Sequence, residues 1–473
     1  MTTGRMARWI GCAATVLALA SAPGMARAET LGDALRSAYL NSGLLDQNRA
    51  LLRAADEDVA QAVASLRPII DWTAGIQRDF QRRDDLTGNT RGTADNSATI
   101  GITASLLLYD FGRSEFLKEA AKETVLATRQ TLRSVEQSVL LTAVQTYMDV
   151  IRNREFVSLR RNNLRLLTEE LRAARDRFEV GEVTRTDVAQ AEAAVALARS
   201  GLAVAEGDLA RAIEAFREAV GRPPGDLRTP ADLPNLGDDV PAAKAVAVRR
   251  HPDILQAQRD VAAAELNIRA AAAAKRPSLN LTGRLGATGD LGNSDNDLSG
   301  QSGSLGLELR GPIYQGGRLS SLERQARAQR DQRRAQLHLA GLQVERNVGD
   351  AFANLRAARA ARSANREAVT AAQIAFEGTR EEARLGARTT LDVLNAEQEL
   401  LDSEANLISA SAEVVIASYS VLAAIGELTV EDLNLGVQTY DPSAYYDLVE
   451  TAPVPISPRG QQLDRVLRAL GKE

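Results

Sequence analysis

Two short segments place a glycine, a threonine and an aspartate at the same spacing. Gly181 precedes Thr184-Arg185-Thr186-Asp187, and Gly386 precedes Thr389-Thr390-Leu391-Asp392, with Arg388 just before the second threonine. Threonine followed three residues later by an acid is a helix-start pattern. The hydroxyl accepts from an otherwise orphaned backbone amide and the carboxylate reaches back to the cap amide, a gain of about 1 kcal/mol. The residues needed for bond-breaking chemistry are missing. There is no G-x-S-x-G, G-x-x-x-x-G-K-[ST] or H-E-x-x-H arrangement. The one cysteine, Cys12, cannot build a disulfide framework or a thiolate metal site, and the only histidines, His251 and His338, read as ordinary helix residues. Gly283, Gly286 and Gly289 sit in a strand pattern with no helix after them, so they read as small strand residues rather than a phosphate loop. No catalytic, cofactor-binding or metal-binding residue is assigned.

Those turns need long elements to carry them, and composition says which. At 473 residues the chain has room for about three ordinary domains. Yet aromatics make up 4% of it and roughly 80 positions are alanine, which suits long helices packed through small side chains. With 57 basic and 62 acidic residues, net charge -5, there is no electrostatic case for nucleic acid. At the N-terminus, Arg5 and Arg8 precede an apolar run (9–20) and Ala26-Arg27-Ala28. This predicts an export signal, 1–28, cleaved after Ala28; the run is too short for a membrane span.

An internal duplication organises the rest. Tyr109-Asp110-Phe111-Gly112-Arg113 recurs as Tyr314-Gln315-Gly316-Gly317-Arg318, 205 residues later. The segment 181–187 recurs as 386–392, Ala191-Glu192 as Ala396-Glu397, and Val220-Gly221 as Ile425-Gly426, all at the same offset. In each half an alanine-rich helical segment (31–66; 241–275) ends at Arg67-Pro68 or Arg276-Pro277, since proline cannot continue a helix. Two alternating segments follow, then a proline-free run (114–178; 319–383). Val150, Val157, Leu164, Leu171 and Phe178 recur every seven residues, which indicates coiled-coil packing. A glycine turn then leads into a second helix (186–219; 390–424).

The alternating segments have one apolar face each. Ile70, Trp72, Ala74, Ile76 and Phe80 oppose Asp71, Thr73, Gly75, Gln77 and Asp79; Ala98, Ile100, Ile102, Ala104, Leu106 and Leu108 oppose Ser97, Thr99, Gly101, Thr103 and Ser105. Leu279, Leu281, Leu285 and Ala287, then Leu305, Leu307, Leu309 and Ile313, repeat this in the second half. Runs of about 10 to 12 residues have the length of tilted membrane strands. The polar stretches 81–96 and 290–302 read as external loops. Four strands cannot close a barrel, and lipid excludes open edges, so closure needs a dimer, trimer or tetramer. The competing reading is a soluble periplasmic coiled-coil adaptor or scaffold, but nothing else in the chain offers an apolar layer to cover four such faces.

The duplicated helix–hairpin–helix order, the Arg-Pro and Tyr-x-x-Gly-Arg junctions and the run Gly386-Ala387-Arg388-Thr389-Thr390-Leu391-Asp392-Val393-Leu394-Asn395 resemble the TolC family of outer-membrane channels. The resemblance covers residues 31–429. It implies a mainly α, pseudo-duplicated protomer of long coiled-coil helices plus four strands. Three copies would form a homotrimer with a twelve-strand β-barrel in outer-membrane lipid and a periplasmic α-barrel. Segment 222–240 and the residues after Gly426 would form an equatorial belt. The implied function is the exit duct of a tripartite system for type I protein secretion or drug efflux. Its partners would be a periplasmic adaptor (membrane fusion protein) and an inner-membrane ABC or proton-driven pump.

By the same resemblance, Asp392 matches an acid ringing the closed periplasmic entrance, and Asn395 stands where a second acid is usual, so cation block should be weaker. Arg388 matches a gate residue whose partners correspond to Thr186 and Asp187, while Ala383 replaces a gate tyrosine. Gly181 and Gly386 mark the adaptor-docking tips, and Pro68, Gly112, Pro277 and Gly317 the barrel–helix junctions. The expected layout is a first repeat at 29–239 (hairpin 69–109), a second at 240–430 (hairpin 278–314), and a C-terminal segment 431–473 whose tail from residue 451 is mobile.

Overall fold

The computed structural model describes residues 29–84, 90–230, 233–290 and 300–469; the expected signal 1–28 with Cys12, and parts of both expected external loops, lie outside them. Each repeat is two short helices, a β-hairpin, a 67-residue helix and a 36-residue helix. The first is α1 (Leu31–Asn41), α2 (Gly43–Ala64), β1 (Ile69–Asp84), β2 (Thr90–Tyr109), α3 (Arg113–Glu179) and α4 (Arg185–Val220). The second is α5 (Val240–Arg250), α6 (Pro252–Ala273), β3 (Ser278–Asp290), β4 (Gly300–Arg310), α7 (Arg318–Arg384) and α8 (Thr390–Ile425); α9 (Ser443–Val449) and α10 (Pro458–Ala469) follow. At 1.5 Å per residue, α3 and α7 are each about 100 Å long.

The chain divides into two compact units, and α3 and α7 run through both. One holds the chain up to Ser42 with Leu140–Leu236 and Asn354–Ser420; the other holds Gly43–Val139, Gly237–Ala353 and everything from Val421. In the first unit, Leu167, Leu171 and Ala174 of α3 bury against Ala191, Val195 and Ala198 of α4. In the second repeat Ala372 and Phe376 of α7 bury with Val393 and Leu400 of α8. The seven-residue series holds from Val150 to Leu171 and fails at Phe178, which is exposed beside the turn. Tyr147 of α3 donates from its hydroxyl to the carbonyls of Glu29 (2.9 Å) and Arg228 (2.6 Å), pinning two irregular segments to the helix.

In the second unit, β1 to β4 form one antiparallel sheet in sequence order. The pairing β2–β3, with Ile100 opposite Ala287, joins the two repeats, and β1 and β4 are its edges. The apolar face is uncovered: Trp72 is 76% and Leu305 79% exposed. Two strand expectations are corrected. β1 and β2 have 16 and 20 residues, because the ladder continues through polar pairs such as Arg78–Asn96 and Gln81–Thr93, and backbone pairing needs no apolar side chains. β4 ends at Arg310, so Ile313 lies beyond it. Gly311 there approaches Pro277 so closely that a Cβ would sit 2.8 Å from the proline ring, and Pro312 has no amide to extend a ladder.

The helical segments before the hairpins are also not continuous. The first breaks at Ser42, whose backbone is extended. The second breaks at His251 (φ -62°, ψ 128°), because the residue before Pro252 is driven out of helical geometry and proline favours a first helical turn. His251 therefore closes α5 and opens α6: its amide donates to Ala247 (2.8 Å) and its Nδ1 accepts from the Asp253 amide (3.3 Å). At the strand–helix junctions the repeat is conformational as well as sequential. Phe111 and Gly316 both have φ 57°, Gly112 and Gly317 both φ 82°, and strands begin directly after Pro68 and Pro277. The tail expected to be mobile instead carries α10, whose Leu463 and Leu467 pack on Ala60, Tyr445 and Val449.

Candidate functional site

Both helical turns form reciprocal caps. Thr184 donates its amide (2.9 Å) and hydroxyl (2.7 Å) to Asp187 Oδ2, and the Asp187 amide donates back to the hydroxyl (3.3 Å). At the other turn the equivalent distances to Asp392 are 3.0, 2.8 and 3.2 Å. Gly181 (φ 81°) and Gly386 (φ 79°) reverse the chain in left-handed geometry, and nothing lies within 4 Å of a Cβ built on either. Conformation rather than space therefore requires glycine. The caps hold both acids below the ordinary carboxylate range, Asp187 chiefly through the Thr184 hydroxyl and Asp392 chiefly through the Thr389 amide. Both are therefore charged at neutral pH.

The two turns open onto one cleft of about 780 Å³, to which one contributes Glu182, Thr184 and Asp187 and the other Gly386, Arg388 and Thr389. Ala383 also lines it, offering a methyl where a tyrosine would offer a hydroxyl. Thr186 and Asn395 are exposed and, with Asp392, lie outside its lining. Arg388 does not bond to Thr186 or Asp187 within the chain. Its Nε donates to Glu382 Oε2 (2.9 Å) on its own hairpin, and this bond, with the charges of Glu382 and Asp392, holds its proton more tightly than usual.

A buried acid near the cleft was missed by sequence reasoning. Glu397 of α8 is 4% exposed; its Oε1 accepts from Asn163 Nδ2 of α3 (3.0 Å) and its Oε2 has no hydrogen-bond partner. Burial, then the charge of Glu170, pushes its pKa up to about 7. The signal was present in the duplication. Arg175 and Glu192 form an exposed pair at 2.6 Å, and their equivalents 205 residues on are Arg380 and Glu397. Packing breaks that equivalence: Arg380 turns to Glu170 (3.3 Å) and leaves Glu397 to an amide. Among the described residues, no group of three or more His, Cys, Asp or Glu is placed to hold a metal.

An amphipathic sheet open at both edges, joined by long helices to charge-lined hairpin turns, defines a protomer of an outer-membrane channel. The family model described as "Outer membrane efflux protein" matches residues 34–222 and 245–427, and the chain belongs to that family. It is 36% identical over 426 residues to the outer membrane efflux protein BepC of Brucella suis biovar 1 (strain 1330), covering 90% of this chain and 91% of that one. To the outer membrane protein TolC of Escherichia coli (strain K12) it is 27% identical, over 88% and 86% of the two chains. Its fold matches the Campylobacter jejuni CmeC outer membrane channel with a TM-score of 0.74 at 18% identity, over 90% of both chains. The protein is thus an outer-membrane exit duct for efflux that extends into the periplasm, and the soluble-adaptor reading is not favoured.

Proposed function

We propose that the chain works as a homotrimer whose three sheets close a twelve-strand barrel in outer-membrane lipid. Its α3–α4 and α7–α8 hairpins would form a periplasmic α-barrel that passively conducts substrates. Gly181 and Gly386 would meet a periplasmic adaptor of the membrane-fusion type, coupled to an inner-membrane ABC or proton-driven pump. The observation that carries this reading is the four-stranded sheet with two open edges and an uncovered apolar face, which lipid tolerates only after closure. Exposed Leu339, Leu342 and Ile374 on α7 supply apolar surface for neighbouring copies. Native mass spectrometry of the detergent-extracted protein should give three copies; a monomer or dimer would overturn the proposal.

The gate reading assigns Arg388, Thr186 and Asp187 to a tether between hairpins, with Asp392 and Asn395 at the entrance and Ala383 leaving the tether without a tyrosine. Exposed ion pairs exchange at little cost, so Arg388 can move between Glu382 and an acid across the cleft. Arg388→Ala should therefore raise conductance several-fold in planar bilayers. Glu382→Ala should lower it by releasing Arg388 to the tether, and equal conductance in both variants would sink this assignment. Asp392→Ala should weaken block by divalent cations. Because the cap keeps Asp392 charged, block in the unsubstituted channel should persist to a pH below the ordinary carboxylate range. Unaltered block in Asp392→Ala would remove it from the entrance.

A further inference from the structure

The chain after Val449 is held beside the first membrane residue of the sheet. Arg67, two residues before β1 begins, donates to the carbonyl oxygens of Ala452 (2.6 Å) and Thr451. Tyr445 donates to Glu57 of α2 (2.7 Å), and Ala452, Leu463 and Leu467 pack around Ala60, Tyr445 and Val449. Gly460 is buried where a Cβ would lie 2.1 Å from the Val454 carbonyl oxygen, so α10 is pressed onto the irregular segment before it. The inward face of this segment is thus accounted for, and its position is tied to the boundary at Ile69.

Its outward face has a different character. Gln462, Val466 and Ala469 follow at four- and three-residue spacing on the exposed side of α10, with Arg465 and Arg468 beside them, while Arg459 donates to the Thr451 hydroxyl (3.0 Å). Val454 and Ile456, in the preceding segment, are 52% and 88% exposed. Within α10 three arginines stand against one aspartate, in a chain whose net charge is -5. Exposed apolar side chains among arginines are the pattern of an element lying in a membrane interface, and guanidinium groups pair well with phosphate. The uncovered apolar face of β1, from Ile70 and Trp72 onward, begins three residues after Arg67, which holds this segment.

We propose that the segment from Ala452 through α10 lies on the periplasmic leaflet of the outer membrane. Arg465 and Arg468 meet anionic phospholipid headgroups, and Val454, Ile456 and Val466 reach the acyl boundary. The strap so formed fixes the height of the barrel against the bilayer through Arg67. The inference rests on the outer-membrane placement of β1, and the test reads the two separately.

Cys12 lies in the expected signal, so Val466→Cys in the full mature chain would carry a single fluorophore; the chain's tryptophans are Trp9, also in the signal, and Trp72. The labelled protein is reconstituted in phosphatidylethanolamine vesicles with and without phosphatidylglycerol, containing brominated phospholipid. Trp72 quenching reports that β1 is in lipid. The Val466 probe should then be quenched about twofold or more when phosphatidylglycerol is present, and less without it. A probe at Leu44→Cys, about 30 Å along α2 from Ala64, should not be quenched. Arg465→Glu with Arg468→Glu should bring the Val466 signal down to the Leu44 level. With Trp72 quenched, a Val466 probe that behaves like Leu44 overturns the proposal and points to a protein neighbour instead. Equal quenching with and without phosphatidylglycerol overturns the headgroup contact.

Discussion

Ile76→Arg should abolish outer-membrane assembly, whereas Gln77→Arg, one residue away, should be tolerated. Ile76 lies midway along β1, pairs with Ala98 and is 80% exposed on the apolar face; Gln77 is on the opposite face. An arginine facing lipid at the midplane costs about 2–4 kcal/mol. In the proposed trimer the substitution occurs three times, for roughly 6–12 kcal/mol, comparable with the whole stability of a typical domain. An arginine at position 77 would face a watery lumen and lose little hydration. Heat-resistant trimer in outer-membrane fractions is the readout. Equal amounts of both variants would show that the apolar face is not the lipid face.

A second large effect is expected at Glu397. Its carboxyl titrates near 7 in the folded chain against an ordinary 4.5. Between those values the folded protein keeps a proton that the unfolded chain has lost, so stability falls as pH rises through that window and levels off above about pH 7. The loss attributable to this one group is about 3 kcal/mol per protomer. Glu397→Gln preserves an oxygen that can accept from Asn163 but cannot ionise. The variant should match the unsubstituted protein near pH 5 and exceed it by about that amount at pH 8. Denaturant titrations at pH 5, 6, 7 and 8 measure this; a stability difference that does not change with pH would remove Glu397 as the cause. Asp56, fully buried with neither carboxylate oxygen hydrogen-bonded and pushed up to about 7 by burial, should give the same sign independently in Asp56→Asn.

How much of this was readable in advance depends on how local each signal is. The Thr184–Asp187 and Thr389–Asp392 caps are complete within four residues, so their spacing alone predicts the geometry found. Gly181 and Gly386 mark the turns because only their backbone conformation matters. The Arg-Pro junctions and the alternating faces were legible for the same reason, since proline chemistry and a two-residue period act at short range. Strand ends were less so. β1 runs past its apolar pattern because the partner strand continues to supply backbone donors and acceptors, and β4 stops short of Ile313 because Gly311 closes on Pro277.

The amino-acid sequence by itself determined the duplicated order of elements, the two capped turns, the alternating strand faces and the family, because these depend on periodicity and on residues close together in the chain. Only the tertiary structure decided which charges are solvated and which residue each one meets. Arg380 and Glu397 are spaced like the paired Arg175 and Glu192, yet Arg380 binds Glu170 and Glu397 is buried against Asn163. Arg388 stays with Glu382 on its own hairpin, and Arg67 captures carbonyls almost four hundred residues away at Thr451 and Ala452. The cost of burying a charge and the choice of its partner are set by surfaces that meet only after distant segments have packed, and no spacing in the chain encodes them directly.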